Sequence, residues 1–168
     1  MAIIDMHVHV FPDDLAALAV PAVSRGAGID AAFDGTLAGL RASMRRAGVS
    51  RSVVLPVATK TSQVRSINDW AAGLGGGDIV PFGAIHPDLT DAEEELERLA
   101  GMGLLGVKMH PEYQAFRPDD DRLEPLFAAA ARLNLILYFH AGEDPGRPMV
   151  YSTPQAFALS SSPSFIGP

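Results

Sequence analysis

Five short apolar runs, separated by helical patterns, set the main limit on what this chain can fold into. They are Ile3–Val10, Ser52–Ala58, Ile79–Ile85, Leu104–His110 and Leu135–His140. Each has strand length, and none alternates cleanly between apolar and polar residues. That suits a parallel sheet covered on both faces. A helix is expected from about Thr36 to Ala47, where Leu37, Leu40 and Met44 form an apolar stripe and Gly48 supplies the stop. Ser62–Ala72 is also amphipathic. Thr90 and Glu93 have the spacing of a capping box and open a helix ending near Ala100. Asp120 or Asp121 can cap Leu123–Leu133, and Thr153-Pro154 resembles a cap followed by a first-turn proline. The stretch through Pro12, Pro21 and Gly26 reads as irregular. A unit of about 25–30 residues fits βα repeats in a barrel or a doubly wound sheet. Gly75-Gly76-Gly77 precedes a strand instead of following one, so it is not a dinucleotide-binding loop.

Composition narrows the chemistry. With 168 residues and 48% hydrophobic content, the chain has material for one sizeable core. It has no cysteine, so a metal would have to sit on His, Asp, Glu or a modified Lys. The formal net charge of −7, without a Lys/Arg cluster, argues against nucleic acid. No apolar run approaches a membrane span, and the N-terminus lacks the pattern of a secretory signal, so the chain reads as cytoplasmic.

The histidines concentrate the functional signal. His7 and His9 lie two apart in the first run, so on a strand they face the same way. Paired imidazoles at the end of an apolar strand suit a divalent metal, the alternative being a surface pair near the terminus. All five histidines fall at expected strand C-termini: His7 and His9, His86, His110, and His140. In α/β folds that is where ligands bind. Lys108 shares a face with His110, so a barrel mouth would gather His7, His9, Lys108, His110 and His140. His86-Pro87 reads more simply as a strand closure. Lys108 reads equally as a substrate group or as a lysine snorkelling at the rim. The Gly142-Glu143-Asp144-Pro145 turn brings carboxylates that either orient a ligand or shape the loop.

Asp5-Met6-His7-Val8-His9, Gly106-Val107-Lys108-Met109-His110-Pro111 and Tyr138-Phe139-His140-Ala141-Gly142 together resemble the amidohydrolase superfamily. Within it they are most similar to the amidohydrolase-related, aminocarboxymuconate semialdehyde decarboxylase-like group. The resemblance implies a (β/α)8 TIM barrel with a divalent metal held by His7, His9 and His140. Zinc is the first expectation, with Mn, Fe or Ni also suited. Lys108 and His110 would bind a small-molecule substrate. The implied activity is hydrolysis by metal-activated water, with non-oxidative decarboxylation as an alternative within the superfamily. Carboxylation of Lys108 to bridge two metals is a further variant. Phosphoesterases and deoxyribonucleases that open with the same His-x-His are a third reading, against which Lys108 counts because they carry glutamate at that strand end. The fourth is a non-catalytic half-barrel serving as an interaction module, or a decayed gene product.

The pattern stops short. About 250 residues make a full barrel, and the resemblance implies a histidine after strand six and an aspartate after strand eight that complete the site and have no counterpart in this sequence. Residues 1–159 are therefore expected to be the N-terminal portion of a metal-dependent hydrolase barrel, truncated after about five βα units. The Ser/Pro-rich residues 160–168 are expected to be a tail foreign to the family. Such a chain should be weakly active or inactive alone and able to self-associate through exposed barrel edges.

Overall fold

The first apolar run forms strand β1 (Ile3–Val8), which pairs in parallel with β2 (Val49–Val54), and β2 pairs with β3 (Ile79–Pro81). A second parallel set joins β4 (Gly83–Ala84), β5 (Gly106–Met109) and β6 (Ile136–Phe139). This computed structural model describes residues 2–160; positions 161–168, most of the expected foreign tail, lie outside the described residues.

The third expected strand, Ile79–Ile85, is thus split into β3 and β4, and two local causes account for it. Pro81 has no N–H to give to a ladder. Two residues on, the side of Ala84 that faces β2 is taken by a side chain. Asn68 Oδ1 accepts from Ala84 N–H at 2.7 Å, and its Nδ2 donates to Ala84 O at 3.0 Å. Asn68 stands in there for a strand. Between these points Phe82 N–H still donates to Val54 O at 2.9 Å, so the two sets run on as one curved parallel wall. With helices between successive strands, this is the (β/α)-barrel architecture, represented by five βα units among the described residues.

Helices accompany the strands; most cover the outer face, whereas the first lines the cavity at the strand ends. They are α1 (Asp13–Ala27), α2 (Leu37–Ala47), α3 (Val64–Ala72), α4 (Ala92–Gly101), a single turn α5 (Pro111–Gln114), α6 (Glu124–Arg132) and α7 (Pro154–Ser160). Val8, Val10 and Val54 pack under Leu40 and Met44 of α2. Val107 and Met109 pack under Leu96 and Leu99 of α4 and Leu126 and Phe127 of α6. The inner face carries Val53, Leu55 and Phe82, with Tyr138 against them. No helix among the described residues is long and apolar enough to cross a membrane.

Two local expectations fail. The stretch read as irregular is largely the fifteen-residue α1. Pro21 sits inside it, and the cost of a mid-helix proline, roughly 3 kcal/mol, is what made the sequence look broken. Its ends carry ordinary signals: Asp13 and Asp14 in the first turn, Arg25 in the last, and Gly28 in the left-handed region with φ 68°. The Thr90–Glu93 capping box also does not form. Asp91 is the N-cap residue of α4 and caps nothing with its side chain, which instead accepts from Arg65 at 2.7 Å. Glu93 is drawn to Arg132, also at 2.7 Å. Elsewhere the caps agree with the sequence. Thr36 Oγ1 accepts from Gly39 N–H at 2.9 Å and Gly48 ends α2 with φ 69°, while Thr153 Oγ1 accepts from Ala156 N–H at 3.2 Å.

Candidate metal centre

Strand alternation turns Val8 and Val10 into the core and leaves His7 and His9 on the inner side, at the end of β1. Their Nε2 atoms lie 3.1 Å apart. His9 Nδ1 lies 2.7 Å from the carbonyl oxygen of Leu55, which only accepts, so Nδ1 carries the proton. Neutral His9 therefore turns the Nε2 lone pair towards His7, the arrangement a metal-ligating histidine needs. Both rings are held neutral at pH 7. The pKa of His7 is pushed down to about 4, first by burial and then by Lys108, His9 and His140, against the opposing pull of Asp5. His9 is lowered chiefly by burial, which outweighs the Leu55 hydrogen bond.

β5 delivers Lys108 and His110 to the same region. Lys108 is fully buried; its Nζ has no hydrogen-bond partner and sits 4.9 Å from the centre of the Tyr138 ring. Burial lowers its pKa to about 8, partly offset by Glu112. The His110 pKa falls to about 2, through burial first and then the neighbouring His140, Lys108, His9 and His7. β6 ends at His140, whose ring stacks on His110 at 4.2 Å and 8°. His140 Nε2 is buried without a partner.

The turn after β6 adds Asp144, with Oδ2 at 3.6 Å from His110 Nε2. Among the described residues, His110, His140 and Asp144 form a group whose ligand atoms all lie within 4.8 Å of one another. The structure thus gathers four of the five histidines, with Lys108 beneath them. His86 stays out of this group: its Nδ1 accepts from Asp88 N–H at 3.2 Å and closes the turn after β4.

The donor types suit a divalent metal, but among the described residues the ligand atoms of His7 and His9 form a pair that no third ligand atom joins within 4.8 Å, and the three-ligand grouping is His110, His140 and Asp144. Metal–nitrogen bonds of 2.0–2.1 Å at tetrahedral angles hold two ligand nitrogens about 3.3 Å apart, close to the 3.1 Å between His7 and His9. The partnerless Nε2 of His140 is the kind of buried polar atom that an ion satisfies.

Above the histidines opens a cavity of about 470 Å³. Its walls are mostly apolar and include Val20 and Val23 of α1 with Phe11, Phe33 and Val57. Tyr113 meets His110 edge-on at 4.3 Å and also lines it. The sequence singled out Asp144 only as part of a turn. It gave no hint of Glu112, a buried carboxyl whose Oε1 accepts from Tyr151 N–H at 3.1 Å, Ser152 N–H at 3.0 Å and Ser152 Oγ at 2.6 Å.

Comparison with known proteins agrees with this architecture. Residues 4–166 match the family model described as Amidohydrolase. No curated protein matches the chain. Among solved structures it is similar to the Metarhizium anisopliae IDCase in apo form, with 17% identity, TM-score 0.65, and 83% of this chain and 50% of that one covered. It is similar to 5-carboxyvanillate decarboxylase from Sphingomonas paucimobilis, with 19% identity, TM-score 0.63, and 83% and 52% covered. It also resembles 5-carboxyvanillate decarboxylase from Novosphingobium aromaticivorans complexed with manganese and 4-hydroxy-3-methoxy-5-nitrobenzoic acid, with 15% identity, TM-score 0.62, and 86% and 51% covered. The chain spans about half the length of these proteins. By its strand-end histidines, its parallel βα architecture and the family model that covers nearly its whole length, the chain belongs to the amidohydrolase family.

Proposed function

We propose that the chain supplies the metal site of an enzyme that removes carbon dioxide, without oxidation, from a small organic acid with an apolar or aromatic body. His7, His9 and His140 hold one divalent metal, manganese or zinc, and Lys108 and His110 face the substrate. The observation that carries this reading is a cluster of imidazoles and a buried lysine beneath an apolar cavity of about 470 Å³. A cavity of that size and lining suits one aromatic ring held by a few convergent polar groups. The decarboxylases similar in fold, one of them with manganese and a nitrobenzoic acid, support the same choice.

A bound metal supplies a Lewis acid that polarises a substrate oxygen. The remaining work belongs to the chain. Lys108, with its pKa near 8, keeps most of its positive charge at neutral pH and attracts a carboxylate into the cavity. Neutral His110 offers one N–H and one lone pair beside that position. The apolar walls exclude water around the ring and favour loss of the charged carboxylate as neutral carbon dioxide.

An alternative position for the single metal is the close grouping of His110, His140 and Asp144, whose ligand atoms lie within 4.8 Å of one another. Hydrolysis by metal-activated water is the alternative reaction. Both are open to test. Full chain loaded with manganese or zinc is incubated with carboxyl-labelled hydroxybenzoates and, separately, with aryl amides and lactones. The expected result is slow release of labelled carbon dioxide that His9→Ala abolishes. Cleavage of amide or lactone without carbon dioxide release would replace the decarboxylase reading with hydrolysis.

A further inference from the structure

Glu112 does two things at once. Its Oε1 gathers three donors, Tyr151 N–H at 3.1 Å, Ser152 N–H at 3.0 Å and Ser152 Oγ at 2.6 Å. Its Oε2 is buried with no hydrogen-bond partner and lies 3.7 Å from His110 Nδ1, which is also buried and also without one. Two buried orphans of complementary type face each other. The gap is longer than a hydrogen bond, and each atom is the other's nearest complementary titratable group.

Ser152 extends the connection. Its Oγ accepts from Gly142 N–H at 3.1 Å, and its backbone oxygen accepts from the same N–H at 3.1 Å. Gly142 stands two residues after His140, as Glu112 stands two residues after His110. The bridge from Glu112 through Ser152 to Gly142 therefore ties together the ends of β5 and β6 that present the two stacked rings.

We infer that Glu112 is a positioning residue: it holds His110 with the proton on Nδ1, so that the Nε2 lone pair points to the Asp144 side of the mouth. His110 has few other ways to be fixed. Tyr113 and His140 pack against its ring, and neither gives Nδ1 a partner. With Nδ1–H turned to Glu112, Nε2 faces the Asp144 carboxylate at 3.6 Å as a second acceptor. Two facing acceptors call for a cation or a proton-bearing substrate group between them. The assignment serves the site proposed above, yet its test needs neither metal nor substrate, so failure of the metal reading leaves it standing.

The experiment is nitrogen-15 NMR of the full chain labelled at histidine, with metal removed by chelation, the His110 signals being identified by their loss in His110→Asn. Long-range nitrogen–proton correlations show which ring nitrogen bears the proton. The expected result is Nδ1–H in the parent chain. Glu112→Gln keeps an oxygen for Ser152 and Tyr151 and turns its amide N–H₂ to Nδ1, so the proton should move to Nε2. Ser152→Ala keeps the carboxylate and should leave the proton on Nδ1. The inference is overturned by Nε2–H in the parent chain, by an unchanged tautomer in Glu112→Gln, or by Ser152→Ala shifting it as Glu112→Gln does. Should Glu112→Gln fail to fold, the parent chain and Ser152→Ala still decide.

Discussion

At the residue scale, one buried polar group decides how two helices meet the sheet. Asn68 is fully buried and donates to both Ala84 O and Glu95 Oε1, the latter at 2.7 Å, while accepting from Ala84 N–H. Removing it leaves a backbone N–H and a carbonyl without partners where water does not reach. Asn68→Ala should therefore cost roughly 2–4 kcal/mol, measured by denaturant unfolding, since each buried orphan costs about 1–3 kcal/mol. A loss well under 1 kcal/mol would mean that Asn68 does not substitute for a strand.

Glu95 has a pH signature. Its burial pushes the carboxyl pKa up, but hydrogen bonds from Arg98 at 2.7 and 2.8 Å and from Asn68 outweigh this, and the net direction is down. A folded-state pKa below the unfolded one means that the stabilisation is fully present above the ordinary glutamate value. It is lost as pH falls through the lower folded value. Stability against urea should thus fall more steeply with acid in the parent chain than in Glu95→Gln. Parallel acid limbs in the two proteins would contradict the assignment.

At the element scale, the close approach of β5 and β6 needs a glycine. A Cβ at Gly106 would lie 2.2 Å from Ile136 O and 2.7 Å from a Phe82 ring carbon. Backbone oxygen cannot step aside, so Gly106→Ala should destabilise by about 2–4 kcal/mol, read from thermal unfolding. The helix α1 makes the opposite prediction. Pro21 is exposed within it, so Pro21→Ala restores a helix donor and should raise stability by roughly 1–2 kcal/mol after the proline's stiffening of the unfolded chain is subtracted. No gain, with unchanged far-ultraviolet circular dichroism, would argue against a helix there.

These elements also show what could be read from the sequence. The strands were legible because apolar, β-branched runs are bounded by glycine, proline and histidine. The histidine cluster was legible because strand ends converge in a parallel βα fold. Pro21 hid α1, since the face of that helix lines a cavity and presents no stripe to a core. The interruption of Ile79–Ile85 was hidden because half of its cause is Asn68, a residue on another element. Glu112 was hidden for the same reason, its partners lying near Ser152, about forty positions away in the chain.

At the scale of the whole molecule, the wall of strands has two apolar margins. Ile3, Ile4 and Met6 on β1 and Ile136 on β6 are each about half exposed. Unpaired parallel edges with apolar side chains are templates for association. The 168-residue chain should therefore show concentration-dependent self-association in sedimentation equilibrium, reduced by Met6→Lys. A monomer at all concentrations would show that these margins are protected in solution.

The central claim is that this chain itself forms a metal site at the mouth of the sheet, with His7, His9 and His140 as ligands. Metal content after equilibrium dialysis against manganese or zinc, measured by elemental mass spectrometry, tests it directly. The account predicts one ion per chain, retained in His86→Ala and lost in His9→Ala and in His140→Ala. If the ion is absent from the parent chain, or survives in His9→Ala, the claim is contradicted. Survival in His9→Ala with loss in Asp144→Asn would move the metal to His110, His140 and Asp144.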